Sequence, residues 1–224
     1  MKLAYPAFAD VIHFDGRGVP CLVIENKELF RSLVCNITDA IEGDQTDLVL
    51  SRKEKILDFP KHVELLTDFI HFDLNKKSLL NKVIAELEKT AVSPEHYIKT
   101  QELLAEIDRL IGDWAFAFSC DIVPTKTSVS ALLKAVGIEI RDEYQGHRGE
   151  AEKILDYMEL VREFDRDKLF VTVNMRSFFN DAIIYQFQKT ALSHEFKILM
   201  LESQSYSRLP LEKRVTIDAD LCEF

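Results

Sequence analysis

The chain has 224 residues, 47% apolar and 29% charged, with a net charge of −10. That is enough chain for one sizeable core, or one core carrying a smaller appendage, in an ordinary globular composition. The acid excess excludes a generic nucleic-acid coat, and segments 1–74, 75–164 and 165–224 carry −5, −4 and −1, so any DNA affinity must come from local geometry.

From the N-terminus, Met1 and Lys2 are followed by Ala4, Tyr5, Pro6 and Asp10, without the apolar stretch of a secretion signal. No later run approaches the roughly 20 apolar residues of a membrane span. A cytoplasmic location is expected. Leu22, Val23 and Ile24 form a short aliphatic run, and residues 29–41 follow with a helical pattern. Residues 65–74 then read as an apolar strand that stops on the corner Asp73-Leu74-Asn75. Asp73 or Asn75 is expected to accept the first free N–H groups of the next helix.

That helix covers 75–89, with Leu79, Leu80, Val83, Ile84 and Leu87 on one face and Ser78, Lys82, Glu86 and Lys89 on the other. Leu103, Leu104, Ile107, Leu110, Ile111, Trp114 and Phe118 repeat at three and four, so a second, antiparallel helix is expected to complete an elongated leg. Residues 128–136 form a short helix stopped by Gly137. Residues 142–149, with Gly146 and Gly149, are the expected mobile loop, and a helix over 148–164 packs through Ile154, Leu155, Met158, Val161 and Phe164.

Residues 169–173 are a second buried strand, 178–191 a helix, and 197–201 a third buried strand. Near-continuous apolar strands belong to a sheet covered on both faces, and strand-then-helix order is that of parallel βα units. The expected fold class is α/β: a head built from residues 1–74 and 165–224, with an inserted α-helical leg over 75–164.

Cys21, Cys35, Cys120 and Cys222 are scattered, with no Cys-x-x-Cys pair, and are expected to be reduced and mostly buried. His13, His62, His71, His96, His147 and His194 show no metal-ligand spacing. Nucleotide chemistry also lacks its residues. No glycine-rich phosphate motif occurs, the turn after the first strand is Glu25-Asn26-Lys27-Glu28, and Asn174 follows the second strand where a magnesium-binding aspartate would be needed. A nuclease reading rests on Glu25 and Lys27 as an E-x-K pair, with Asp10 or Asp15 as the further acid. The basic candidates for DNA are Arg52, Lys53 and Lys55 in one loop, Lys76, Lys77 and Lys82 at the start of the leg, and Lys126 with Lys134 around the short helix.

Leu65, Thr67, Asp68, Phe72, Asp73 and Asn75 follow an L-x-T-D-x-x-x-F-D-x-N order that resembles the Csn-type spacer-acquisition proteins of type II-A CRISPR systems. The likeness extends through Leu22 to Asn26 with Leu29 and Phe30, the helix from Ser78 to Glu88, the run Leu133 to Ile138, the run Lys168 to Asn174, and the closing run Ile198 to Glu202. The resemblance implies a P-loop-NTPase-like head without nucleotide motifs and a homotetrameric ring that holds linear double-stranded DNA, threaded from an end. It implies a non-catalytic role in spacer acquisition, beside the CRISPR integrase proteins and the guide-RNA nuclease. Four copies of a few lysines would then face one duplex, while screening limits the outer acids to about 8 to 10 Å.

The resemblance also implies calcium, held by carboxylates between the long helix and the short one. Here that stretch retains Asp121 alone, with Lys126 nearby, short of the six to eight oxygens calcium takes. No cofactor is therefore expected with certainty. Two other readings stand beside the ring: the metal-dependent nuclease using Glu25 and Lys27, and a protein-only adaptor of the adaptation complex.

Overall fold

The computed structural model describes residues 1–70, 72–120, 122–124, 127–141 and 149–224. Residues 142–148 of the expected mobile loop lie outside the described residues, as do Asp121 and Lys126. The chain forms two compact units: Met1–Phe72 with Tyr144–Phe224, and Asp73–Glu143. The fold is mixed α/β, with seven α-helices among the described residues.

The described elements in chain order begin with β1 (Lys2–Ala4), β2 (Ile12–His13), β3 (Val19–Ile24), α1 (Lys27–Glu42), β4 (Val49–Arg52), β5 (Lys55–Ile56), α2 (Phe59–His62) and β6 (Val63–Leu66). The helices α3 (Lys77–Ala91), α4 (Tyr97–Ala115), α5 (Val129–Val136) and α6 (Glu150–Phe164) follow. The chain ends with β7 (Leu169–Val173), a 3-10 turn at Met175–Ser177, α7 (Asp181–Ser193), β8 (Lys197–Glu202) and β9 (Glu212–Ile217).

In the first unit the strands make two sheets, a four-stranded antiparallel one in the order β2-β1-β4-β5 and a five-stranded parallel one in the order β6-β7-β8-β3-β9. All six residues of β3 are buried, as a strand with neighbours on both edges and cover on both faces requires. Pro20 is tolerated there because β3 pairs only with β9 at that point, and its ladder with β8 begins at Cys21. Gly18 permits the approach of β9, since a Cβ at that position would come within 2.9 Å of the Leu211 carbonyl oxygen.

Side chains alternate between two cores. Leu22, Ile24, Leu169, Val171, Leu199 and Leu201 join Leu33 and Ile37 of α1 and Leu3 and Leu50 of the small sheet. On the other face α6 and α7 cover the sheet: Gln188 of α7 donates to Met200 Sδ at 3.4 Å, and Tyr157 of α6 donates to Glu64 of β6 at 2.7 Å. The helix starts follow capping rules. The Asn26 side chain accepts from Leu29 N–H and that of Asn180 from Ile183 N–H. Gly43 ends α1 at φ 98°.

In the second unit α3 packs against α5, and Leu74, Leu79 and Leu104 are its buried leucines among the described residues. Ser128 caps α5 through Ala131 N–H, and the Thr127 hydroxyl donates to Asp108. No helix among the described residues is long and apolar enough to cross a membrane.

Two local expectations need correction. The strand expected over 65–74 is Val63–Leu66, and Phe69, Phe72 and Leu74 are buried outside it by loop packing. Neither Asp73 nor Asn75 caps α3, whose N-cap position is Lys76, a residue whose side chain does not cap the helix. Asp73 instead accepts from Asn75 N–H at 2.8 Å. The Asn75 amide both donates to Ile140 O at 3.2 Å and accepts from Ile140 N–H at 2.7 Å, tying the entry of α3 to the segment after α5.

Candidate functional site

Ligands of open α/β sheets collect outside the carboxyl ends of the strands, so those ends bear on any nucleotide reading. After β3 the turn is used structurally: Asn26 caps α1 with Oδ1 and donates from Nδ2 to Ala219 O at 2.9 Å. Glu28 lies in the first turn of α1, where its charge offsets the positive helix end that would otherwise favour phosphate. After β7, Asn174 adopts φ 55° and joins two strand ends, donating N–H to Leu201 O at 2.7 Å while its Oδ1 accepts from Ser203 N–H at 2.8 Å. Asn174, the residue after β7, therefore has a backbone-organising task.

Glu25 and Lys27 are exposed at the carboxyl end of β3, while Asp15 precedes its amino end. Six residues of strand put roughly 20 Å between those ends. Asp15 is engaged by Lys213 at 2.6 Å, a pairing that holds its carboxyl down at about 2. Asp10 lines an apolar cavity of about 180 Å³ together with Pro20, Cys21 and Lys213, also toward the amino ends. The structure thus does not bring Asp10 or Asp15 to Glu25. Among the described residues no group of three or more His, Cys, Asp or Glu is arranged to hold a metal ion.

The basic candidates divide between the units. Arg52, Lys53 and Lys55 share the β4–β5 hairpin, whose two-residue turn places Lys53 at φ 46° and Glu54 at φ 66°. Arg52 is ion-paired with Asp167, whereas Lys53 and Lys55 are exposed. In the helical unit Lys77 is exposed at the first position of α3, Lys76 and Lys82 are half-buried, and Lys134 is exposed in the last turn of α5. Lys126 and the metal candidate Asp121 lie outside the described residues.

A charge cluster that sequence reasoning misses is internal to the α/β unit. Arg176, on the 3-10 turn, donates to Glu212 of β9 at 2.9 Å and to Asp181 of α7 at 2.6 Å, and its guanidinium lies 4.8 Å from the Tyr206 ring centroid. Arg214 donates to the other Glu212 oxygen at 2.5 Å. Glu202, at the end of β8, accepts Arg176 N–H at 3.2 Å through Oε1, and its Oε2 has no hydrogen-bond partner. Burial pushes its carboxyl up to about 7, with Glu212 adding to the rise and Arg176 and Arg214 opposing it. The one signal in the sequence is the alternation of Glu212, Arg214 and Thr216 in β9, which reads as a solvated strand face.

All four cysteines are free, but only Cys21 is buried, so the expectation of mostly buried thiols is corrected for Cys35, Cys120 and Cys222. Burial pushes the Cys21 thiol up to about 12, which leaves it unreactive.

A family model described as CRISPR-associated protein (Cas_Csn2) matches residues 40–221, reaching into both units. No curated protein matches the chain.

Proposed function

The chain belongs to the Cas_Csn2 family of CRISPR-associated proteins, and from that premise we propose that it is a non-catalytic, ring-forming protein that binds ends of double-stranded DNA during acquisition of new spacers. Family membership is the observation that carries this reading. The α/β unit would serve as a P-loop-like head and the helical unit as the leg of a homotetramer, working in the cytoplasm with the integrase proteins and the guide-RNA nuclease.

The strand ends support a non-catalytic role. The turn after β3 and the residue after β7 are committed to capping and to joining strands. Asp10 and Asp15, the further acids of a nuclease reading, stand toward the other end of β3. Affinity would come from phosphate contacts by exposed lysines such as Lys53, Lys55, Lys77 and Lys134, repeated by symmetry around a channel. A net acidic particle can hold a duplex this way, because outer carboxylates are screened beyond about 8 to 10 Å.

The test is a salt titration of binding to a linear duplex. Charge reversal at Lys76 and Lys77, or at Lys53 and Lys55, should weaken binding uniformly across sequences. It should lower the slope of log K against log salt by about 0.9 for each phosphate that is no longer neutralised. Variants that fold and assemble but keep wild-type affinity and slope would overturn this assignment of the basic residues.

A further inference from the structure

Between Ser203 and Leu211 the chain crosses from β8 to β9 without a regular element, and most of its side chains are exposed. Its ends are tied down: Ser203 N–H donates to Asn174 Oδ1 at 2.8 Å, and Leu211 O accepts Val19 N–H at 2.8 Å. Its middle is held by the Arg176–Glu212–Arg214 cluster. Arg214 donates to Tyr206 O at 2.5 Å and to Ser207 O at 3.2 Å, the Arg176 guanidinium lies over the Tyr206 ring, and Glu212 accepts Leu209 N–H at 3.2 Å. The Tyr206 hydroxyl adds Ser177 Oγ at 2.9 Å and Gln204 Nε2 at 2.5 Å. An exposed segment held chiefly at one residue depends on the groups that hold it, and here two of them are guanidinium groups.

Glu202 is buried against the same two guanidinium groups. Its Oε1 accepts Arg176 N–H, while its Oε2 and the Nε–H groups of Arg176 and Arg214 have no hydrogen-bond partner among the described residues. With Glu202 protonated, Arg176 of the 3-10 turn and Arg214 of β9 balance Glu212 of β9 and Asp181 of α7. The groups that β3 and α7 add to the cluster, the Cys21 thiol and the Gln188 amide, are neutral. Ionisation of Glu202 would leave one negative charge in excess and a buried carboxylate oxygen that requires a donor. The donors without an acceptor are the two Nε–H groups. Turning either guanidinium toward Glu202 displaces a group that holds Tyr206.

We propose that Glu202 is a pH-sensitive latch for the segment 203–211: protonated, it leaves Arg176 and Arg214 on Tyr206, and ionised, it draws them away and frees the segment between its two tied ends. This inference concerns the α/β unit alone and does not depend on duplex binding. The direction follows from burial, which raises the carboxyl from 4.5 to about 7, so the latch is closed below that value and released above it.

The test is limited trypsin cleavage of the full chain after Arg208, read by mass at pH 6 and pH 8. Each rate is divided by that of a free peptide of residues 203–212 in the same buffer, which removes the pH dependence of the protease. A carboxyl at about 7 is about one tenth ionised at pH 6 and about nine tenths at pH 8, so the relative rate should rise about tenfold in the wild type. Glu202→Gln should keep the slow rate at both pH values. Tyr206→Ala removes the ring and hydroxyl contacts and should be cut fast already at pH 6. A wild-type rate indifferent to pH, the same rise in Glu202→Gln, or slow cutting of Tyr206→Ala at pH 6 would overturn the proposal. Cutting at Arg208 no faster than at Arg31 of α1 and Lys189 of α7 would also overturn it, by showing that only unfolding of the whole chain exposes the segment.

Discussion

Glu202→Gln should flatten a pH dependence of stability that the native side chain imposes. The carboxyl is fully buried, its Oε1 accepts Arg176 N–H, and its Oε2 meets no partner. Burial raises it from 4.5 to about 7, Glu212 adds to the rise, and Arg176 and Arg214 oppose it. Between those two values the folded chain keeps a proton that the unfolded chain releases. The protonated form therefore stabilises fully below pH 4.5, and that contribution is lost as pH rises to 7. At 1.36 kcal/mol per pH unit, the loss amounts to about 3 kcal/mol. Glutamine keeps the shape and the Oε1 acceptor without a charge to bury. Urea unfolding of both proteins from pH 5.5 to 8, starting above the isoelectric point near 5.1, covers roughly 2 kcal/mol of that loss. The wild type should decline relative to the variant by that amount, with no further divergence above pH 8. Parallel profiles would refute the reasoning, by showing that Glu202 is solvated or compensated in the folded protein.

Three further outcomes follow from the geometry. Arg176→Met removes the cation between Glu212 and Asp181 and should cost about 3 kcal/mol or more in urea unfolding, because Glu212 is buried and then keeps Arg214 as its one ion-pair partner, beside hydrogen bonds from Gln188 and Leu209. Asn75→Ala unties both backbone groups of Ile140 and should cost about 1 to 3 kcal/mol, with faster amide exchange at Ile140 and unchanged exchange in β3 and β8. Asn26→Ala should cost about 1 kcal/mol through loss of the helix cap and leave duplex binding at the wild-type level, since that turn serves α1.

The elements that were legible are those in which local pattern and tertiary burial agree. β3, β7 and β8 show as aliphatic runs because both of their faces are covered, and the start of α5 is marked by Ser128, whereas α7 begins at Asp181, three residues after the expected start. The small sheet was not legible. Its strands run two to four residues, too short to show alternation, and β1 finds β4 only after β2, β3 and α1 have intervened in the chain. β9 was hidden for a different reason. Glu212 and Arg214 look like surface residues, and only the return of the chain beside β3 brings them against Arg176. Asn75 stands out in the sequence as a key position, but its partner Ile140 lies 65 residues away, so a local cap is the natural reading.

The proposed function stands on a ring of these chains loading over the end of a duplex. The most direct measurement compares binding of one DNA sequence as a linear duplex and as a covalently closed circle, at low and at physiological salt. End loading predicts that the linear form is bound, more weakly as salt rises, and that the circle is not retained at either salt. Equal retention of both forms would contradict it.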